Sequence, residues 1–211
     1  MSREKDVAQI LLKIGAVEFN PNDPFTWASG IKSPIYCDNR LTMSDPYGRK
    51  LIAEGLAALI KEQFPDTTLI AGTATAGIPH AAWVADILEL PMLYIRSKAK
   101  GHGRSKQIEG KVKPGDKAVI IEDLISTGGS SLTAAEALLD ENINVQGVVS
   151  IFTYELEAAD HAFGEKGLSY HSLTNFGALI EAAQESGGIN QDAIPGLIDW
   201  HTKLKAGLLA K

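Results

Sequence analysis

What this chain has little of narrows its possibilities before any motif is read. It carries one cysteine, Cys37, in 211 residues, so no disulfide can form within the chain and a reducing compartment is the simpler expectation. No apolar run reaches the roughly 20 residues that a bilayer-spanning helix needs. The charged start Met1-Ser-Arg-Glu-Lys-Asp6 lacks the apolar stretch of a secretory signal. A cytoplasmic protein is expected. Positive charge is also short: 20 Lys and Arg against 26 Asp and Glu leave a net charge of −6, which argues against a nucleic-acid partner and an anionic membrane surface. No repeat, low-complexity tract or metal-ligand spacing is present. No G-x-G-x-x-G follows a strand pattern, which argues against a dinucleotide-binding oxidoreductase.

What is present suits a single domain, 1–211, with one good-sized core: 45% hydrophobic and 22% charged residues are ordinary for a globular protein. The most informative stretch runs from Val119 to Ser131. Ala118 to Ile121 is too short and too β-branched for a helix and reads as a buried strand. Glu122 and Asp123 stand where that strand should end. Ser126-Thr-Gly-Gly-Ser-Ser131 then makes a loop of small residues, and Leu132, Ala135, Leu138 and Leu139 follow at helical spacing.

In a parallel α/β sheet the ligand crevice lies beyond the carboxyl ends of the strands, where a helix N-terminus offers unpaired N–H groups to an anion. Gly128 and Gly129 let the backbone curl close to a phosphate, and the neighbouring hydroxyls add donors. Carboxylates accept hydrogen bonds, so the acidic pair implies a partner bearing hydroxyls. Phosphate at one end and vicinal hydroxyls at the other describe a ribose 5-phosphate. The plain alternative is a capped βα turn beside two solvated acids.

Elsewhere, Val7, Ile10, Leu11 and Ile14 predict a first helix ended by Gly15, and Ser44-Asp-Pro46 starts a second, capped by Ser44 or Asp45 and running to Pro65. Phe25 to Arg40 mixes aromatics, glycine and proline as a strand pair or loop. Thr68 to Gly72 reads as a strand entering Gly72-Thr-Ala-Thr-Ala-Gly77, which has Walker A spacing without the Lys-Ser/Thr pair, and a helix is expected over Ala81–Leu88. Such a loop still binds anions through backbone N–H groups. Pro91 to Ile95 is another strand. Residues 96–113 then carry seven cations, Arg96, Lys98, Lys100, Arg104, Lys106, Lys111 and Lys113, in an acidic protein. A connection this long suits a mobile lid over a highly anionic substrate, or else a solvated loop. A strand over Asn144–Tyr154 and two helices, after Ser172 and after Asn190, complete the chain, with His161, His171 and His201 as surface or packing residues.

The strand, acidic pair and phosphate loop resemble the signature of the type I phosphoribosyltransferases. The pattern Phe25-Thr-x-x-Ser-Gly-x-x-Ser-Pro-x-Tyr36 resembles the hood of the orotate phosphoribosyltransferases, and Arg96-x-x-x-Lys100-x-His102-Gly103 resembles their catalytic loop. The fold that this resemblance implies is α/β: a mainly parallel sheet flanked by helices, with a small N-terminal hood formed mainly by 1–45 and a mobile basic loop at 96–113. The reaction it implies joins N1 of orotate to the ribose of 5-phosphoribosyl 1-diphosphate (PRPP), releasing diphosphate and giving orotidine 5'-monophosphate, a step of pyrimidine synthesis.

By the same resemblance Lys100, His102 and Asp123 are catalytic. Arg96, Lys100, His102, Glu122, Asp123, Leu124, Ile125, Ser126, Thr127, Gly128, Gly129 and Ser130 bind PRPP, and Ser126 also touches orotate. Thr73, Ala74, Thr75 and Ala76 form the diphosphate loop. Mg²⁺ is the implied cofactor, held largely by PRPP, and a homodimer sharing the basic loop is the implied assembly. Lysines that some members carry are Ala28 and Ala76 here, which leaves Lys32 as a substitute for the first. The arginine that some relatives place for the base carboxylate has no counterpart near Tyr154, Glu155 and Glu157. A purine or uracil phosphoribosyltransferase would share the central motif but not this hood. A non-catalytic PRPP-sensing module is the alternative from outside enzymes.

Overall fold

The structure, a computed structural model, describes residues 2–27, 30–97 and 107–209. Helix α1 (Arg3–Lys13) opens the chain, with Ser2 as its N-cap and Gly15 taking the left-handed conformation just beyond its end. Four short strands follow: β1 (Val17–Phe19), β2 (Phe25–Thr26), β3 (Lys32–Ser33) and β4 (Ile35–Cys37). They pair antiparallel as β1 with β4 and β2 with β3, and a 3-10 turn, Asn39–Ser44, leads on. In α2 (Pro46–Gln63), Asp45 is the cap: its carboxylate accepts the Gly48 N–H, and Pro46 holds the first position, where no N–H is needed.

The body alternates strand and helix: β5 (Leu69–Thr73), α3 (Gly77–Leu88), β6 (Met92–Ile95), β7 (Ile108–Glu109), β8 (Lys117–Ile125), α4 (Gly129–Leu139), β9 (Asn144–Thr153), α5 (Glu157–Glu165), β10 (Tyr170–Asn175), α6 (Phe176–Glu185) and α7 (Ile194–Lys205). One six-stranded sheet forms in the order β10-β9-β8-β5-β6-β7, parallel except for the β6–β7 edge. Alternation along β8 splits the core in two. Val119 and Ile121 face a cluster with Leu56, Ile60 and Val84, while Ala118 and Ile120 face one with Ala135, Leu138 and Phe163. Each Val, Leu, Ile or Phe among them contributes roughly 1.5–3 kcal/mol by leaving water.

The topology decides where a ligand can sit. From β5 the chain passes to β6 on one side, and from β8 to β9 on the other, so β5 and β8 flank the switch point of the sheet. Helices leave in opposite directions there, and a crevice opens beyond the strand ends.

Several sequence expectations are corrected. Strand β8 does not stop at Ile121 but carries Glu122 and Asp123 within it, because pairing with β9 continues as far as Ile125 opposite Thr153. Helix α3 starts at Gly77, four residues before Ala81, since Pro79 is tolerated in a first turn. On α4, Leu139 is 50% exposed, and Ser131, Ala134, Ala135 and Leu138 make the buried face. Within the expected basic loop, Ile108–Glu109 pairs with Tyr94–Ile95 as an edge strand, because Ile108 is apolar enough to be buried. After β9 the chain makes α5 and then β10 before any further helix, and the helix expected after Ser172 begins at Phe176. Helix α1 packs on α2, α6 and β10, and the 3-10 turn Asn39–Ser44 lies against β8.

Candidate active site

Glu122 and Asp123 are consecutive residues of β8 whose carboxyl groups come within hydrogen-bond reach of one another. Glu122 is 7% exposed, and its Oε2 accepts from Ser131 Oγ at 3.2 Å, while its Oε1 accepts the Asp123 N–H at 3.2 Å. Burial first, and then the charge of Asp123, push the Glu122 carboxyl up to about 7. Asp123 is also raised by burial, with opposing pulls from hydrogen bonds and from the Arg40 charge. The pair therefore titrates nearer neutrality than ordinary carboxylates do.

Beyond β8, Ser126 is half-buried, and Thr127, Gly129 and Ser130 are exposed. Gly128 has φ +80°, and a Cβ there would lie 2.5 Å from a ring carbon of Phe163, so both backbone and space demand glycine. No side chain caps α4, whose first N–H groups remain available to an anion. Ile125 is buried and Leu124 half-buried.

The loop after β5 faces the same crevice. Thr73 is buried, and its hydroxyl donates to the Ile121 carbonyl at 3.0 Å. Ala74 N–H donates to the Ile95 carbonyl at 2.8 Å, and the Ala74–Thr75 peptide is cis. Thr75 is exposed, Ala76 half-buried, and α3 also lacks a side-chain cap. At Gly77 a Cβ would stand 2.4 Å from the Ile121 carbonyl oxygen, so only glycine lets this loop lie against β8. Two uncapped helix N-termini thus flank one crevice.

Arg96 and Gln107 are bridged twice: Arg96 N–H donates to the Gln107 carbonyl at 2.9 Å, and Gln107 Nε2 donates to the Arg96 carbonyl at 2.7 Å. A cleft of 320 Å³ brings together Thr73 and Ala74, Arg96, and Gly129 and Ser130. The acidic pair is not in its lining and lies closer to the hood. Lys98, Lys100, His102, Arg104 and Lys106, like Ala28, lie outside the described residues. Among the described residues no three His, Cys, Asp or Glu group as metal ligands.

Sequence reasoning missed the hood residues that touch this site. Asn39 is 1% exposed, and its Nδ2 donates to the Asp123 carbonyl at 2.7 Å. Arg40 lies fork to fork on Asp38, with Nε–Oδ1 at 2.6 Å and Nη2–Oδ2 at 2.7 Å. The polar run Asp38-Asn-Arg40 directly after an apolar strand was the available signal. Lys32 donates to Thr26 Oγ1 at 2.6 Å across the β2–β3 hairpin. Tyr154 is buried against Trp27 and Phe152, and its carbonyl meets His201 Nε2 at 2.8 Å. His201 also stacks on Phe176, and His171 sets its edge on Phe64, so both are packing residues, while His161 is exposed.

Residues 47–163 match the phosphoribosyl transferase domain family. Orotate phosphoribosyltransferase of Enterococcus faecalis is 62% identical over 196 residues, covering 93% of each chain. Orotate phosphoribosyltransferase of Bacillus cereus is 57% identical over 197 residues, covering 93% of this chain and 94% of that one. Among solved structures, orotate phosphoribosyltransferase from Aeropyrum pernix superposes with a TM-score of 0.74 at 26% identity, over 87% of this chain and 99% of that one.

Proposed function

Because this chain belongs to the orotate phosphoribosyltransferase family, we propose that it transfers the 5-phosphoribosyl group of PRPP to N1 of orotate, giving orotidine 5'-monophosphate and diphosphate. One observation supports this above the rest: at the switch point an acidic pair and an uncapped glycine loop stand side by side. Loop 126–130 anchors the 5-phosphate through backbone N–H groups and hydroxyls, with Leu124 and Ile125 contributing main chain only. Glu122 and Asp123 hold the ribose hydroxyls, and their negative charge favours the cationic sugar that forms as the C1–O bond to diphosphate lengthens. Residues 73–76 and Arg96 meet the charge growing on the departing diphosphate, joined by Lys100 and His102. Ser126 reaches toward orotate, and N1, giving up its proton to the departing diphosphate, takes the open bond at C1.

A magnesium ion fits the chemistry of this donor set. Mg²⁺ is bound through one or two carboxylates together with substrate phosphates rather than by an all-protein cage. Asp123, with Glu122, would hold it against PRPP, and the bound ion would neutralise part of the diphosphate charge. The active unit is a homodimer in which the basic residues between Arg96 and Gln107, Lys100 and His102 among them, serve the neighbouring subunit's site, and the protein works in the cytoplasm. Among the described residues no helix is long and apolar enough to cross a membrane.

The test is diphosphate release from PRPP with orotate, uracil and hypoxanthine side by side. Orotate should exceed the others by at least about 100-fold in kcat/KM, the discrimination available when a pocket built for polar groups meets a base that lacks them. Equal release with uracil, or with no base at all, would overturn the assignment.

A further inference from the structure

Three polar side chains outside the described chemistry join hood, diphosphate-loop helix and acidic strand in one buried line. His80 lies in the first turn of α3, and its Nε2 is 3.4 Å from Thr42 Oγ1. Thr42 Oγ1 donates to the Asn39 carbonyl at 2.6 Å, and Asn39 Nδ2 donates to the Asp123 carbonyl at 2.7 Å. His80, Thr42 and Asn39 are 1%, 0% and 1% exposed. Polar groups that deep are costly unless each has a partner.

Proton counting sets the direction of the line. A threonine hydroxyl has one proton, and the short contact to the Asn39 carbonyl uses it. Toward His80 the hydroxyl oxygen can then only accept, so the imidazole carries its proton on Nε2. Its Nδ1, buried and unpartnered in the described structure, is left as a bare lone pair. The Trp83 ring meets the imidazole edge-on at 5.3 Å and holds it from the side. Asn39 is fixed at both ends of its amide, because Oδ1 accepts from Cys37 Sγ at 3.4 Å.

We propose that His80, Thr42 and Asn39 are positioning residues that couple the two substrate subsites, so that filling the diphosphate loop tightens the hood on the base. This rests on the reading of the site as one for PRPP and orotate. The physical reason is that Thr42 and Asn39 belong to the same 3-10 turn, which follows β4 of the hood directly. A shift of α3 on binding an anion at its N-terminus is passed to that turn through Thr42, and from Asn39 to the backbone of Asp123. Apolar packing alone would allow the turn to slide, whereas directed hydrogen bonds fix its register.

Calorimetry on the full-length protein tests it. Orotate and diphosphate come from opposite sides of the reaction and cannot react together, so orotate affinity is measured with and without saturating diphosphate. In the unsubstituted protein diphosphate should tighten orotate on the order of ten-fold. Thr42→Val and His80→Phe should each bring that factor close to one while leaving the affinity for diphosphate alone within about two-fold, and the double variant should lose no more than either single one. Thr42→Ser, which keeps the hydroxyl, should restore the coupling, so a general loss of folding cannot imitate the result. Full coupling retained in Thr42→Val or His80→Phe overturns the proposal, as does a parent protein that binds both ligands with no mutual effect. A parent protein that binds neither removes the functional assignment along with it.

Discussion

Glu122 and His80 are buried titratable groups whose shifts act on stability in opposite directions. Glu122 holds its proton up to about 7 when folded and releases it near 4.5 when unfolded, so its contribution is fully present below 4.5 and is lost as pH rises toward 7. For His80, burial lowers the folded value from 6.5 to about 4, so stability is lost as pH falls through that interval. In the native protein the two slopes partly cancel. Urea unfolding of the Glu122→Gln variant should therefore show stability rising between about pH 4.5 and pH 6.5, and the parent minus variant difference should fall with pH by up to about 3 kcal/mol. A difference that is flat with pH would mean that Glu122 is not held protonated by its surroundings. The residue types at the acid pair were readable from the sequence, but their titration was not, because it depends on burial beneath Ser131 and on two charges sharing one strand end.

Among the elements, the contact of the β5 loop with β8 rests on Gly77. Replacing it by Ala would place a methyl 2.4 Å from the Ile121 carbonyl oxygen and 2.6 Å from Thr73 Oγ1. Neither neighbour is a free side-chain end, so the loop must move, at a cost of about 1–3 kcal/mol in stability. The Gly77→Ala variant should melt several degrees lower, with its KM for PRPP raised more than its KM for orotate, as thermal melts and steady-state rates would reveal. Unchanged melting and KM values would show that the loop accommodates the methyl. The sequence marks Gly77 as a loop boundary, yet the reason for glycine lies 44 residues away at Ile121. Elements with weak patterns escaped in the same way. Helix α5 buries only Ala159 and Phe163, too sparse a stripe for periodicity to show. Strand β10, Tyr-His-Ser-Leu-Thr-Asn, has little of the apolar content that marks buried strands and is recognised by its pairing with β9.

For the whole molecule, the proposed sharing of the basic residues between Arg96 and Gln107 across a homodimer makes a prediction that no single subunit can satisfy. Lys100→Ala and Asp123→Asn should each be nearly inactive alone. If Lys100 works in the partner's site, a refolded equimolar mixture should recover about a quarter of parental activity, since half the dimers are mixed and each of those rebuilds one intact site of two. No recovery would show that each subunit supplies its own lysine. The sequence by itself determined the class of fold, the strand that leads into the acids, the two glycine-bounded strand-to-helix loops and the family resemblance. Those depend on local patterns of apolar spacing, glycine and charge. Only the tertiary structure decided that β8 runs on through Glu122 and Asp123, that both loops open on one switch point, and that Asn39, Thr42 and His80 meet at the back of it. Strand order and long-range contact arise from how the sheet pairs and what it buries, and no short stretch of sequence contains both partners of such a contact.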